Sequence, residues 1–531
     1  MPEYLTPGVY IEEISTGPRP IEGVGTACAA FVGLAPDGPA NKPVLVTNWT
    51  QYVNTFGREE PNGRRDPHLP GAYLSHSVYG YFLNGGGRCY VTRVLPQNGH
   101  VNGSAARPSG LTLALPTRAS KALNSLTFRS REAAPSQDIE IEVGPAVGEN
   151  QPEGTFTLKI KSGGVEESYE NVALGRRPRG ATDGPRNVTE TLQASKLVIL
   201  VEEQTQGTLA ERMPEPGRYF IRHQDTKPEG ALPPVKASDL KGDITRRSGL
   251  EGLEIAEDVT MVCCPDLMAN GGTALDKEAI KAVQLAMIAH CENMGDRVAI
   301  IDPPPNLTPQ QVSDWRMKEA GYDSKYATLY YPWIQVTGPD NKPLSIPPSG
   351  HMAGIWARND SERGVHKAPA NEVIRGVLDP DAPVTKGEQD ILNPQGINCI
   401  RSFSGRGVRV WGARTLSSTD PAWKYINVRR LFNYVEKSIE MGTQWVVFEP
   451  NSPDLWARVK RDVSAFLNVA WREGMLFGNS AAEAFYVKCD AENNPAETRD
   501  LGRLYIDVGL APVKPAEFVV FRLSQMAGGG A

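Results

Sequence analysis

The stretch that decides the fold runs from Asn371 to Phe521, and its clearest passage is Val408-Arg-Val-Trp-Gly-Ala-Arg-Thr415 followed by two helical patterns. The passage is preceded by a turn-rich run, Leu378-Asp-Pro-Asp-Ala-Pro383, and by Leu392-Asn-Pro-Gln-Gly-Ile-Asn-Cys-Ile-Arg401, and it reads as a Gly-punctuated strand. Asp420 and Pro421 form the N-cap and first position of a helix, where a missing N–H costs nothing. Val428, Leu431, Phe432, Val435 and Ile439 then recur at helical spacing up to Gly442. A second helix opens at Ser452-Pro453 and buries Trp456, Val459, Val463, Phe466, Leu467 and Ala470 before Gly474. Its opposite face lines up Asp454, Arg458, Arg461, Asn468 and Arg472 as a polar stripe.

Upstream of this stretch, from Asp258, strand and helix patterns alternate. Val259–Cys264, Arg297–Ile301 and Ala327–Tyr331 read as strands, and Lys277–Met294 and Pro309–Ala320 as helices. Such alternation implies parallel pairing through right-handed crossovers. Nearer the start, Thr26–Leu34 and Cys89–Leu95 read as buried strands, joined through a helical patch at Tyr73–Leu83. Gly85-Gly-Gly87 precedes a strand and lacks a Gly-Lys-Ser/Thr ending, so it reads as a turn rather than a phosphate loop. Between Gln97 and Lys241 the period changes to two, in Leu111–Leu115, Asp138–Val143, Thr155–Ile160 and Lys196–Val201. Half-buried strands broken by Gly, Pro and Arg mark an inserted β-rich domain.

Both chain ends carry a short strand pattern fenced by prolines. Val9–Ile14 lies between Pro7 and Pro18, and Glu517–Leu523 follows Pro512 and Pro515. In the second, Val519, Phe521 and Leu523 face one way while Phe518 and Val520 face the other, so both faces need cover. A short isolated strand is not stable alone; it pairs with a sheet of its own subunit or of another.

The chain has 531 residues, 40% hydrophobic and 22% charged, a length that calls for two to four domains. A net charge of -6 gives no nucleic-acid footprint, and no apolar run approaches membrane-spanning length. Seven dispersed cysteines and no signal peptide at Met1-Pro-Glu-Tyr-Leu5 give the expectation of reduced thiols and synthesis in the cytoplasm. Catalytic patterns are weak throughout. Asp266 and Asp302 stand just beyond strand ends, where α/β enzymes place metal- or phosphate-binding carboxylates. Beside Pro265 and Pro303-Pro-Pro305 they read more simply as turn caps. The histidines and cysteines have no zinc spacing, and Ser404 lacks the Gly-x-Ser-x-Gly turn. Neither a catalytic, a metal nor a cofactor site is called.

Gly396-Ile-Asn398, Val410-Trp-Gly-Ala-Arg-Thr-Leu416, Trp423-Lys-Tyr-Ile-Asn-Val-Arg-Arg-Leu431, Val447-Phe-Glu-Pro-Asn451 and Pro515-Ala-Glu-Phe518, with Pro7-Gly-Val-Tyr-Ile-Glu-Glu13 at the start, resemble the contractile tail sheath proteins of phages, phage-tail-like bacteriocins and contractile injection systems. The resemblance covers the two ends well, the middle moderately and residues 96–245 hardly at all. It implies a non-enzymatic subunit of mixed α/β class, multidomain, with a discontinuous α/β core, extended terminal β-arms and a β-rich insertion. The expected division is 1–20 as an N-terminal arm, 21–95 with 246–345 as a middle domain, 96–245 as an outer insertion, 346–511 as the polymerising domain and 512–531 as a C-terminal arm.

What the resemblance implies of function is a homo-oligomer of six-membered rings stacked helically around an inner tube. Its contraction drives the tube through a target envelope. Baseplate and terminator or cap proteins are the further implied partners, with assembly in the bacterial cytoplasm and no nucleic acid, membrane insertion or cofactor. Strand exchange between subunits is assigned to Val9, Tyr10, Ile11, Glu517, Phe518, Val519, Val520 and Phe521. Tube contacts are assigned to Arg429, Arg430 and Lys437 on the first helix and Arg458, Arg461 and Arg472 on the second. The competing readings are an α/β hydrolase or phosphotransfer enzyme using Asp266 and Asp302, and a non-contracting capsid-like or adhesive assembly protein. For the helix stripe, the plain alternative is a solvated face.

Overall fold

The computed structural model describes residues 20–60, 63–95, 112–120, 123–131, 138–148, 154–175, 186–205, 207–221, 235–269 and 276–520. They fall into two compact units, one from the described residues within 1–97 and 232–531 and the other from those within 98–231. The first is built on an eight-stranded sheet in the order Val44–Val46, Arg88–Arg93, Cys28–Gly33, Met261–Cys263, Val298–Ile301, Ala327–Tyr331, Ile397–Phe403, Gly407–Val410. The inner strands run parallel and the two edge strands antiparallel.

Continuous apolar runs suit this sheet because both of its faces are covered. Ala29 and Phe31 point into one core with Val78 and Tyr81 of the Leu74–Leu83 helix and Met352 and Trp356 of the Ser349–Arg363 helix. Ala30 and Val32 point into the other, with Val283, Met287 and Cys291 of the Lys277–Met294 helix. The first two helices approach closely at Gly80, where a Cβ would sit 2.2 Å from the ring of His351. His351 is a buried residue of the Ser349–Arg363 helix. All seven cysteines are buried free thiols.

The sheet crosses the division expected at 345/346, because Leu329 to Tyr331 pair in parallel with Ile397 to Cys399. Residues 346–416 thus belong to the sheet body. The C-terminal helices form their own core, where Leu431 and Val435 meet Val459, Val463, Phe466 and Leu467. Onto that core packs a two-stranded antiparallel sheet, Phe485–Lys488 with Asp507–Leu510. The second helix spans Pro453–Arg472 with Ser452 as its cap, as its pattern indicates. The first starts later than expected, at Ile426: Asp420 caps only a short 3-10 turn, Pro421–Trp423, by accepting from Ala422 N–H.

The second unit has a five-stranded sheet, ordered Arg186–Asn187, Val165–Ala173, Thr155–Ser162, Ile139–Pro145, Gly217–Ile221, and a three-stranded one, Val198–Glu203, Asn124–Ser130, Thr112–Pro116. Both contribute to one core containing Leu115, Phe128, Ile141, Leu158 and Val198. The insertion is shorter than the expected 96–245. Residues 237–241 form a helix whose Leu240 lies in the core of the first unit, beside Leu250 and Leu253.

Candidate assembly interface

The C-terminal tract does not leave the body where its prolines begin. Ala511 N–H donates to Ala484 O at 2.9 Å, Pro512 bridges Leu476, and Val513 O accepts from Asn427 Nδ2 at 3.1 Å. The last hold is Glu517. Its carboxylate accepts from Arg414 Nε and Nη2, Asn393 Nδ2 and Tyr425 Oη, all at 2.8 Å, with Lys424 Nζ at 3.6 Å. Arg414 is itself buried and gives its third nitrogen to Asn393 O at 2.9 Å. This two-pronged guanidinium contact is the strong form of a charge-assisted hydrogen bond. Although burial opposes it, the donors hold the Glu517 carboxyl down at about 2.

Directly after this anchored residue the chain turns apolar and bare. Phe518, Val519 and Val520 are 72%, 71% and 77% exposed and form no strand within the chain, while residues 521–523 of the expected Glu517–Leu523 strand lie outside the described residues. Among the described residues, each strand of the Phe485–Lys488 and Asp507–Leu510 sheet pairs only with the other, and Tyr486 on its outer face is exposed. A two-stranded sheet of this kind offers open backbone on both outer edges. The other residues assigned to strand exchange, Val9, Tyr10, Ile11 and Phe521, lie outside the described residues.

The six basic residues assigned to one contact separate into two groups. Arg429 and Arg430 are 2% and 4% exposed and are withdrawn from any external surface. Arg430 grips both oxygens of Asp360, at 2.8 and 2.6 Å, donates to Thr26 O at 2.9 Å and stacks 4.7 Å from the Trp356 ring. Arg429 lies 4.3 Å from the Trp423 ring and 4.7 Å from that of Tyr326, and bonds Asn433 and Glu436. Lys437 is half-buried beside Asp296 and Glu440. On the second helix Arg461 and Arg472 are exposed, and Arg458 is partly so, 3.4 Å from Glu449 and 5.0 Å from the Trp445 ring. Between the helices Phe448 stands fully exposed at φ +69, a left-handed conformation rare for an aromatic residue. It lies in the Val447-Phe-Glu-Pro-Asn451 motif, where only the pattern and not the exposure was readable.

Asp266 and Asp302 serve packing. Asp266 accepts from Leu34 N–H at 2.5 Å, from Leu74 N–H at 3.1 Å and from Tyr73 N–H, so it caps the Leu74–Leu83 helix from a distant strand end. Asp302 accepts from Ser349 N–H at 2.9 Å, the first residue of the Ser349–Arg363 helix. Burial raises their carboxyls to about 6 and about 7. Each caps a helix across the sheet edge rather than a turn beside its own prolines.

Two family models match this chain in tandem, the phage tail sheath protein central domain over residues 248–416 and the phage tail sheath C-terminal domain over residues 418–525. Their junction falls where the sheet body gives way to the helical part. The chain belongs to the contractile tail sheath family. It is similar to the tail sheath protein of Burkholderia phage BcepMu, 23% identical over 536 residues that take in 97% of this chain and 95% of that one. It is also similar to a prophage major tail sheath protein of Pseudomonas aeruginosa, 27% identical over 55% of this chain and 73% of the other. Among solved structures, a chain of the anti-feeding prophage baseplate is 25% identical, with a TM-score of 0.56 over 98% of this chain and 99% of that one. The anti-feeding prophage helical sheath in its contracted state shares the fold, at 23% identity and a TM-score of 0.57 over 98% and 100% of the two chains. This sheath protein is accordingly a structural subunit of a contractile sheath in a phage tail or phage-tail-like particle, and not an enzyme.

Proposed function

We propose that this sheath subunit polymerises by strand exchange into six-membered rings, stacked helically around an inner tube, and that contraction of the polymer drives the tube through a target envelope. The observation that carries this reading is the bare run Phe518–Val520 leaving an anchored Glu517 while, among the described residues, the Phe485–Lys488 and Asp507–Leu510 strands pair only with each other. The terminal run of one copy, with Val9, Tyr10 and Ile11 of another, adds strands to Phe485–Lys488 and Asp507–Leu510 of a neighbour. At about 1 kcal/mol net per backbone hydrogen bond and about 25 cal/mol per Å² of apolar surface covered, each arm contributes several kcal/mol. Subunits linked in this way rotate and slide while the exchanged strands keep their register. Energy is stored at assembly in a less favourable extended packing, so the chain itself needs no nucleotide.

The six-fold symmetry of the anti-feeding prophage baseplate supports the ring number and baseplate proteins as partners; an inner tube and a terminator or cap complete the proposed assembly. Assembly in the bacterial cytoplasm belongs to the same reading. Arg458, Arg461 and Arg472 remain the tube-facing residues, with Lys437 at the margin. Exposed charge gives weak, salt-sensitive adhesion, suited to a contact that must slide. The test is electron microscopy of the full chain beside one ending before Pro515. Tubes or stacked rings from the first and small species from the second support the reading, and equal polymerisation removes it.

A further inference from the structure

The C-terminal tract contains a site that strand exchange alone does not require. Four residues from three separate segments, Asn393, Arg414, Lys424 and Tyr425, converge on one carboxylate, each through its side chain. Arg414 is held in place from behind, since its backbone N–H donates to Asn398 Oδ1 at 2.7 Å and its carbonyl accepts from Asn398 Nδ2 at 2.8 Å and Thr328 Oγ1 at 3.1 Å. Asn398 in turn lies on the sheet strand beside Tyr330. The carboxylate is thus tied through Arg414 and Asn398 to the Ile397–Phe403 strand, second from the edge of the eight-stranded sheet. The next three residues, Phe518–Val520, are exposed.

We propose that Glu517 is the fixed point of the C-terminal arm: residues 511–517 belong to the body, the exchanging arm begins at Phe518, and force between subunits enters the sheet through the Glu517–Arg414 pair. This rests on the strand-exchange reading and adds where the arm starts and what holds it. Without the clasp, the hinge retreats four residues to Val513, held by the Asn427 side chain. That adds as much as ~13 Å of slack at ~3.3 Å per extended residue, enough to let an exchanged strand slip its register. A fixed base therefore turns rotation of a neighbour into displacement of the sheet body.

Ala516 is exposed and the seven native thiols are buried, so Ala516→Cys takes a nitroxide label selectively on the full chain. In the unassembled subunit the label is expected to move slowly. Glu517→Gln, which keeps the shape and removes the charge, is expected to raise the open population about 10- to 100-fold, the worth of a charge-assisted contact, and so to sharpen the spectrum. Its polymers form but break into shorter tubes under shear. Arg414→Lys, which keeps the charge and loses the fork, gives an intermediate spectrum. A label equally slow in Glu517→Gln and the parent overturns the proposal, as does a label freed by deleting residues 518–531 with Glu517 intact. If that deletion leaves the label slow and polymerisation also intact, the strand-exchange reading fails while the anchor stands.

Discussion

The two successive helices of the C-terminal part, Ile426–Gly442 and Pro453–Arg472, have similar amphipathic patterns and carry arginines at comparable positions, yet they use them in opposite ways. The first has two covered sides. Leu431 and Val435 meet the second helix, while Arg430 is pressed against Asp360 and Trp356 of the sheet body. The second helix has one covered side, and Arg461 and Arg472 remain exposed. A charged residue on an amphipathic pattern is at the surface only when nothing packs on the second side.

Replacing each member of this set separates the two helices, beginning with the largest effect. Arg430→Ala or Asp360→Ala leaves an uncompensated buried charge and is expected to lower stability by about 3–5 kcal/mol in a denaturant titration. A loss below about 1 kcal/mol would place Arg430 among the exposed residues after all. Arg429→Ala loses two ring contacts and its bonds to Asn433 and Glu436; about 1–2 kcal/mol is expected, since the Glu436 end is screened by water. Arg458→Glu with Arg461→Glu is expected to shift stability by less than about 0.5 kcal/mol while reducing co-assembly with the tube. Unchanged tube occupancy would return these residues to a plain solvated face.

Glu517 sharpens the same contrast through pH. Its carboxyl is held near 2 against an ordinary value of 4.5, so its contribution is complete above that ordinary value and is lost as pH falls through about 2. The stability difference between the parent and Glu517→Gln is therefore expected to stay constant from pH 7 to pH 5. A difference that vanishes over that interval would show a carboxylate without its donors.

Periodicity made most elements legible, because strands with both faces covered and helices with one covered face leave patterns that are local in sequence. The Pro453–Arg472 helix and the parallel strands needed nothing else. The partners of Arg430 could not be read in this way, since Asp360 and Trp356 lie some seventy residues away on another helix. The same holds for Glu517, whose donors at Asn393, Arg414 and Tyr425 are about a hundred residues distant. The terminal pattern marked an apolar run, but it did not reveal that the exposed part of it, Phe518–Val520, starts one residue beyond an anchor. Asp266 and Asp302 were recognisable as capping residues; that they cap helices rather than turns depends on the sheet bringing residues 73 and 349 to them.

The most direct test of strand exchange is electron microscopy of the full chain beside a chain ending at Glu517, which keeps the clasp and removes only the bare run. Tubes or stacked rings from the full chain, and only monomers or small oligomers from the shortened one, are the expected result. Tubes of normal length from both would contradict it, because the link between subunits would then lie elsewhere.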